Sequence, residues 1–235
     1  MDSPPHERSL DDDQRTGFVP LKYTPVEPAE CLERSRKFYD QMDRRRSVRH
    51  FSDRPVSREV MENLIRAASS APSGAHRQPW TFVAISNPRL KGEIRRAAEG
   101  EERENYEHRM SPEWLEALRP LETGWRKPYL EIAPWLIVVL QHTYQLLDSG
   151  ERGKNYYVTE SVGIAVGLFI TAIHRAGLVC LTHTPSPMGF LAEILGRPAN
   201  EKPFALLPVG YPAQDCMVPD LRRKSLAEVA VFEEG

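Results

Sequence analysis

Six consecutive positions, Arg44-Arg45-Arg46-Ser47-Val48-Arg49, carry four guanidiniums and one hydroxyl. A guanidinium is a planar fork that matches two phosphate oxygens at once and keeps its charge at every working pH. The run is therefore a compact candidate for a phosphate site. Further on, Ala71-Pro72-Ser73-Gly74-Ala75 reads as a tight turn with a small hydroxyl and a glycine. Such a turn lets backbone come close to a flat ligand. Together the two segments point to a phosphorylated planar cofactor. The plainer reading of the arginines alone is a solvated basic end of a helix, favoured by the helix dipole.

The elements that must position these segments follow from spacing. Residues 28–45 carry Cys31, Leu32, Phe38, Tyr39 and Met42 among charges, an amphipathic helix that delivers the arginines at its C-terminal end. Ser57 caps a second helix running to about Ser69, with Val60, Leu64, Ile65 and Ala68 as its buried stripe. Trp80–Ile85, Trp135–Leu140, Leu178–Thr182 and Phe204–Tyr211 read as buried strands. Residues 155–176 form a helix apolar almost all round in its second half, destined for the centre or for a subunit interface. A short helix over 187–196 ends at Gly196. Between strands, residues 89–131 are a charged helical excursion, dense from Glu99 to Arg109, of the kind that makes lids. The tail 212–235 ends in Val229-Ala230-Val231-Phe232, which needs a neighbour to bury it. The order gives a mixed α/β (α+β) domain. No Gly-x-Gly-x-x-Gly turn is present, so side-chain arginines rather than a glycine loop would hold the phosphate.

Totals narrow the classes. The chain has 235 residues and a formal charge of −2, so a polyanion such as nucleic acid is a poor partner. Three scattered cysteines and histidines without ligand spacing argue against a disulfide framework and a metal. Residues 1–27, with their prolines and the Asp11-Asp12-Asp13 run, read as a flexible arm without a signal peptide. The longest apolar run, Val162 to Ile173, falls short of the ~20 residues a bilayer requires. A cytoplasmic location with no membrane segment is the expectation.

Arg45-Arg46-Ser47-Val48-Arg49, Ala71-Pro72-Ser73-Gly74-Ala75 with Gln78-Pro79-Trp80, and Leu207-Pro208-Val209-Gly210-Tyr211-Pro212, in this order, resemble the FMN-dependent nitroreductase superfamily. Within it, Glu102-Arg103-Glu104-Asn105-Tyr106, Trp125-Arg126-Lys127, Thr182-His183-Thr184-Pro185, Leu195-Gly196-Arg197-Pro198-Ala199 and Val218-Pro219-Asp220-Leu221-Arg222-Arg223-Lys224 resemble the iodotyrosine deiodinase family. The resemblance implies a three-layer sandwich, a mixed central sheet flanked by helices, with a C-terminal arm exchanged with a second subunit. It divides the chain into an arm over 1–27 and an FMN-binding domain over 28–235 with a lid at about 95–130. It implies a homodimer with FMN at the subunit interface, and reductive dehalogenation of halotyrosines. Electrons would come from NAD(P)H, directly or through a reductase partner. By position, Arg45, Arg46, Ser47, Arg49 and Arg223 would hold the phosphate and ribityl chain, and Ser73 would touch the flavin. Thr182, His183 and Thr184 would lie along its ring, with the Thr184 hydroxyl near N5. Ala75 would offer its backbone N–H to the substrate phenolate. Glu102, Tyr106 and Lys127 would grip the amino-acid end of the substrate. Vertebrate members tend to carry three threonines where this chain has His183.

The residues suit that chemistry. An amino acid presents an ammonium that Glu102 can accept from and a carboxylate that Lys127 can donate to. Tyr106, four residues after Glu102, shares its helix face. His76 and His183 are the tempting proton donors, because imidazole titrates near neutrality. Two alternatives stand beside the dehalogenase: a broad nitroreductase or quinone reductase on the same flavin site, and a protein that only sequesters flavin or halotyrosine.

Overall fold

The computed structural model describes residues 17–234. Two units divide the chain, residues 1–40 and 41–235. The arm expected over 1–27 lies outside the described residues as far as residue 16, and from Gly17 to Glu27 the chain forms neither helix nor strand. Helix α1, Pro28–Asp43, begins in the first unit and buries none of its residues. Its apolar Leu32, Phe38 and Tyr39 are exposed.

The second unit is built on four strands, β1 (Trp80–Ile85), β2 (Trp135–His142), β5 (Val179–Cys180) and β6 (Glu201–Gly210), in the order β1-β2-β6-β5. All three ladders are antiparallel, and one bridge, Ser47–Cys180, adds a parallel contact. Side chains alternate across a pleated sheet, and here the alternation makes two cores. Ile137, Val139, Ala205, Leu207 and Val209 face one side, against helices α2 (Arg58–Ser69) and α6 (Val158–Arg175). Leu136, Val138, Leu140 and Leu206 face the other, against α3 (Pro88–Glu104), α5 (Tyr129–Ile132) and α7 (Gly189–Ile194). The result is a helix–sheet–helix sandwich.

Ser57 caps α2 by accepting from the Val60 N–H, as its position before the apolar stripe requires. The charged stretch behaves differently from the expectation for 89–131. Ile94 and Ala98 of α3 are fully buried, so the first half of that helix is core. Four-residue spacing of Leu90, Ile94 and Ala98 forms a narrow apolar stripe that the surrounding charges mask. Beyond Ala98 the segment expected to form a lid carries fewer core residues. It continues through a π-helical turn (Asn105–Arg109) and helix α4 (Pro112–Leu118). A hairpin of β3 (Tyr144–Leu146) and β4 (Arg152–Lys154), which the sequence did not reveal, leads into α6.

Helix α6 has 18 residues and passes as a bilayer span by length and composition alone. Val162, Ala165, Val166, Phe169 and Ile173 are buried, which makes one face a core face. The opposite face shows Gly163, Ile164, Gly167 and Leu168 to the outside.

Candidate active site

The arginine run leaves α1 and crosses to the end of the sheet, where the Val48 N–H donates to the Cys180 carbonyl at 3.1 Å. Burial and that ladder contact fix Val48, which turns Ser47 and Arg49 outward. A cavity of about 320 Å³ opens there, lined by Arg45, Arg46, Ser47, Arg49, Thr182, Pro219 and Arg223, among others. The arginines divide the work. Arg46 donates to the Pro219 carbonyl. Arg223 forks onto the Asp43 carboxylate at 2.9 Å and the Arg45 carbonyl at 2.6 Å, which ties the tail to the run. Among the described residues, Arg45 and Arg49 pair with no carboxylate. Two unneutralised guanidiniums beside a hydroxyl, in a half-enclosed cavity, fit a dianionic phosphate.

The Ser73–Gln78 turn is strained. Ala75, His76 and Gln78 all have positive φ, a conformation that costs a non-glycine residue free energy and gathers at functional sites. Four amides of the run from Gly74 to Gln78 are engaged: Gly74 with the Ser161 hydroxyl, His76 with the Ser73 carbonyl, Arg77 with the Gly74 carbonyl and Gln78 with the Ser73 hydroxyl. The Ala75 N–H is outside that set. Gly74 is fixed by crowding, because a Cβ there would lie 2.5 Å from the Tyr156 carbonyl oxygen.

The lid brings its expected residues together. Lys127 Nζ and a Glu102 carboxylate oxygen are 2.9 Å apart, with side chains only 4% and 9% exposed. Lys127 Nζ also sits 5.6 Å from the centre of the Tyr106 ring, and the Tyr106 hydroxyl donates to the Thr123 carbonyl. Burial raises the Tyr106 pKa above its ordinary value. The Arg103 and Arg126 guanidiniums lie 4.1 and 5.0 Å from the centre of the Trp125 ring, so the chain neighbours of both members of the ion pair contact the same indole.

Thr182 and Thr184 are exposed and His183 between them is buried, the period-two pattern of an extended chain. The His183 backbone exchanges both hydrogen bonds with Leu206. Its ring meets Tyr129 edge-on at 6.0 Å. Burial, and then the Lys127 and Arg49 charges, push its pKa down to about 3. His183 is therefore a neutral interior imidazole, packed on Tyr129 within reach of the Lys127 and Arg49 charges. His76 is exposed, with its ring nitrogen 3.1 Å from the Gln78 amide nitrogen.

The Ser73–Ala75 turn is not among the residues that line the arginine cavity. The Ser73–Gly74 turn packs on the first turn of α6 through Ser161. The arginine run joins Cys180, just past the last turn of the same helix. Fourteen residues of helix run from Ser161 to the end of α6, about 21 Å at 1.5 Å per residue. Sequence reasoning missed Asn105, which is buried between the lid and the loop after Thr184. A single asparagine in a charged run has no spacing to betray it.

Comparison with known proteins gives a consistent neighbourhood. Residues 42–211 match the nitroreductase family. The iodotyrosine deiodinase of Haliscomenobacter hydrossis is 58% identical over 93% of this chain and 98% of its own length. Iodotyrosine deiodinase 1 of Homo sapiens is 42% identical over 93% of this chain and 76% of its own. The crystal structure of an oxidized iodotyrosine deiodinase bound to FMN and 3-iodo-L-tyrosine superposes with a TM-score of 0.70 at 31% identity, covering 83% of this chain and 100% of that one.

Proposed function

Because this chain belongs to the nitroreductase family and, within it, to the iodotyrosine deiodinases, we propose that it removes halide from halotyrosines by reduction, with FMN as its cofactor and NAD(P)H as electron donor. The observation that carries the reading is the buried Glu102–Lys127 pair beside Tyr106. It is a zwitterion clamp that a generic nitroaromatic or quinone does not require.

Bound FMN supplies the two electrons of the reaction. The carbon–halogen bond breaks, the halogen leaves as halide with the bonding pair, and the ring carbon gains two electrons and a proton. The chain's part is binding and orientation. Arg45, Ser47 and Arg49 would hold the phosphate, with Arg46 and Arg223 fixing the segment that carries them. Glu102 accepts from the substrate ammonium, Lys127 donates to its carboxylate and Tyr106 closes the wall. Desolvation strengthens each of these contacts. The Ala75 N–H holds the phenol oxygen as charge develops on it, an oxyanion-type role. Ser73, Thr182, the His183 backbone and Thr184 would border the flavin ring, with the Thr184 hydroxyl available to donate to it. His183 is too depressed in pKa to serve as a cationic acid.

The site is shared by two copies. Its halves lie at opposite ends of α6, and the exposed Gly163-Ile164/Gly167-Leu168 face lets a second α6 approach closely; nothing lies within 4 Å of where either glycine would carry a Cβ. An antiparallel pair of α6 helices sets the turn of one copy beside the arginines of the other. Exposed Val229, Val231 and Phe232 of the tail suit exchange onto the partner. A cytoplasmic location suits three free thiols, and a separate reductase would pass on the NAD(P)H electrons.

The test compares iodide release from 3-iodotyrosine and from 2-iodophenol, which lacks the zwitterion, at equal concentration. A preference of at least about a hundredfold for the amino acid is expected. Equal rates would remove the clamp, and with it the deiodinase reading in favour of a broad reductase.

A further inference from the structure

Asn105 is a buried polar residue outside the three that form the clamp. It ends α3 and opens the π-helical turn. Both polar atoms of its side-chain amide are engaged. Nδ2 donates to the Ser186 carbonyl at 2.8 Å, and Oδ1 accepts from Arg109 at 3.3 Å. The residue is flanked by Tyr106 and lies three positions from Glu102, so it moves with the clamp. Ser186 lies two positions beyond Thr184.

The segment Thr182–Ser186 has three attachments. The His183 backbone is paired with Leu206 of β6. The His183 ring packs on Tyr129 of α5. Its far end is held by Asn105, the one hydrogen bond among the described residues that joins this segment to the lid. The first two lie within the sandwich, and the third alone spans from it to the lid segment. A buried amide that loses its acceptor, and a carbonyl that loses its donor, each carry a desolvation cost. The bond is therefore made or broken as a unit with lid closure.

We propose that Asn105 is a positioning residue that couples lid closure to the placement of Thr184. The inference rests on the halotyrosine reading above. Filling the clamp closes the lid, closure delivers the Asn105 amide to Ser186, and the loop that carries the Thr184 hydroxyl becomes fixed. A ligand without the ammonium and carboxylate leaves the lid open and that hydroxyl unset. Recognition of one end of the substrate is thereby transmitted to the reacting end.

The experiment uses the FMN-loaded protein and 3-fluorotyrosine, a halotyrosine whose carbon–fluorine bond is too strong for the reaction to consume. Amide hydrogen exchange is followed over residues 99–127 and 182–188, with and without ligand. In the unsubstituted protein the ligand is expected to protect both segments. Asn105→Asp keeps the shape and the Arg109 contact but faces a carboxylate oxygen to the Ser186 carbonyl. It is expected to leave the lid protected and to abolish ligand-dependent protection of 182–188. Its affinity for 3-fluorotyrosine should change by less than about threefold, while kcat for 3-iodotyrosine falls about tenfold. Retained protection of 182–188 in the variant would overturn the coupling. So would a lid that is protected in the unsubstituted protein while 182–188 is not, an outcome that requires no variant to fold and leaves the clamp intact. Failure of the FMN-loaded protein to bind 3-fluorotyrosine would overturn the substrate reading and the coupling with it.

Discussion

Replacing Glu102 by Gln separates the clamp's role in folding from its role in recognition. The Lys127 ammonium is 4% exposed and its carboxylate partner is 2.9 Å away. Removing one member of such a pair leaves the other charge buried without compensation, which typically costs about 3 kcal/mol. The same change deprives the substrate ammonium of its acceptor. A cost of about 3 kcal/mol in binding is about two orders of magnitude in Kd. Quenching of flavin fluorescence by 3-iodotyrosine measures the second effect and urea unfolding the first. Glu102→Gln is expected to raise Kd about a hundredfold and to lower stability by about 3 kcal/mol. Adding Lys127→Met to it removes the stranded charge, so stability should return while affinity stays low. The affinity for 2-iodophenol should move less than about threefold in either variant, since that ligand offers the clamp nothing. Unchanged Kd for 3-iodotyrosine would refute the clamp. Stability lost in Glu102→Gln and not recovered in the double variant would refute the electrostatic account of the pair.

Other consequences are independent of the clamp. His183 stays neutral down to about pH 3, whereas an unfolded histidine takes up a proton near 6.5. The unfolded state then holds the extra proton, and stability is intact above pH 6.5 and falls by about 1.4 kcal/mol per unit as pH drops below it. Unfolding free energies of His183→Thr should show a slope shallower by that amount between pH 6 and 4, and parallel profiles would contradict the burial argument. Gly74→Ala pushes a Cβ to 2.5 Å from the Tyr156 carbonyl oxygen, a backbone atom with little freedom to yield, so the purified variant should retain little FMN by absorbance; full occupancy would show the turn yields. Gly167→Leu fills the groove on the exposed face of α6 and should give a monomer by light scattering that has also lost its flavin. A yellow dimer would place the subunit contact elsewhere.

Much of this site is legible in the sequence because its pieces are local. The arginine run and the Pro-Ser-Gly turn are contiguous words, and the strands are continuous apolar runs. What was hidden depends on three dimensions. The apolar stripe of α3 is one residue wide, so charge density outweighed Ile94 and Ala98, and the helix read as a lid from its start. Hairpin β3–β4 has three residues in each strand, and Arg152-Gly153-Lys154 carries no apolar residue, so the pair is too short and too polar on one side to read. His183 looked like a site acid because it stands between two threonines. The period of an extended chain puts it on the opposite face from both, and burial then removes its proton. That the turn packs on the start of α6 while the arginine run joins the strand after it is invisible in the sequence, and the proposed second copy rests on that arrangement. Asn105 and Ser186 are far apart in the chain, and only the folded lid brings them together.

The central claim is that reduced flavin in this site passes its electrons to a halotyrosine held by its amino-acid end. It is tested most directly by bleaching the FMN-loaded protein with dithionite without oxygen, then adding one equivalent of 3-iodotyrosine. The account expects the oxidised flavin spectrum to return, with one iodide and one tyrosine formed per flavin. A flavin that stays bleached beside intact 3-iodotyrosine, yet is promptly reoxidised by a quinone, would contradict it.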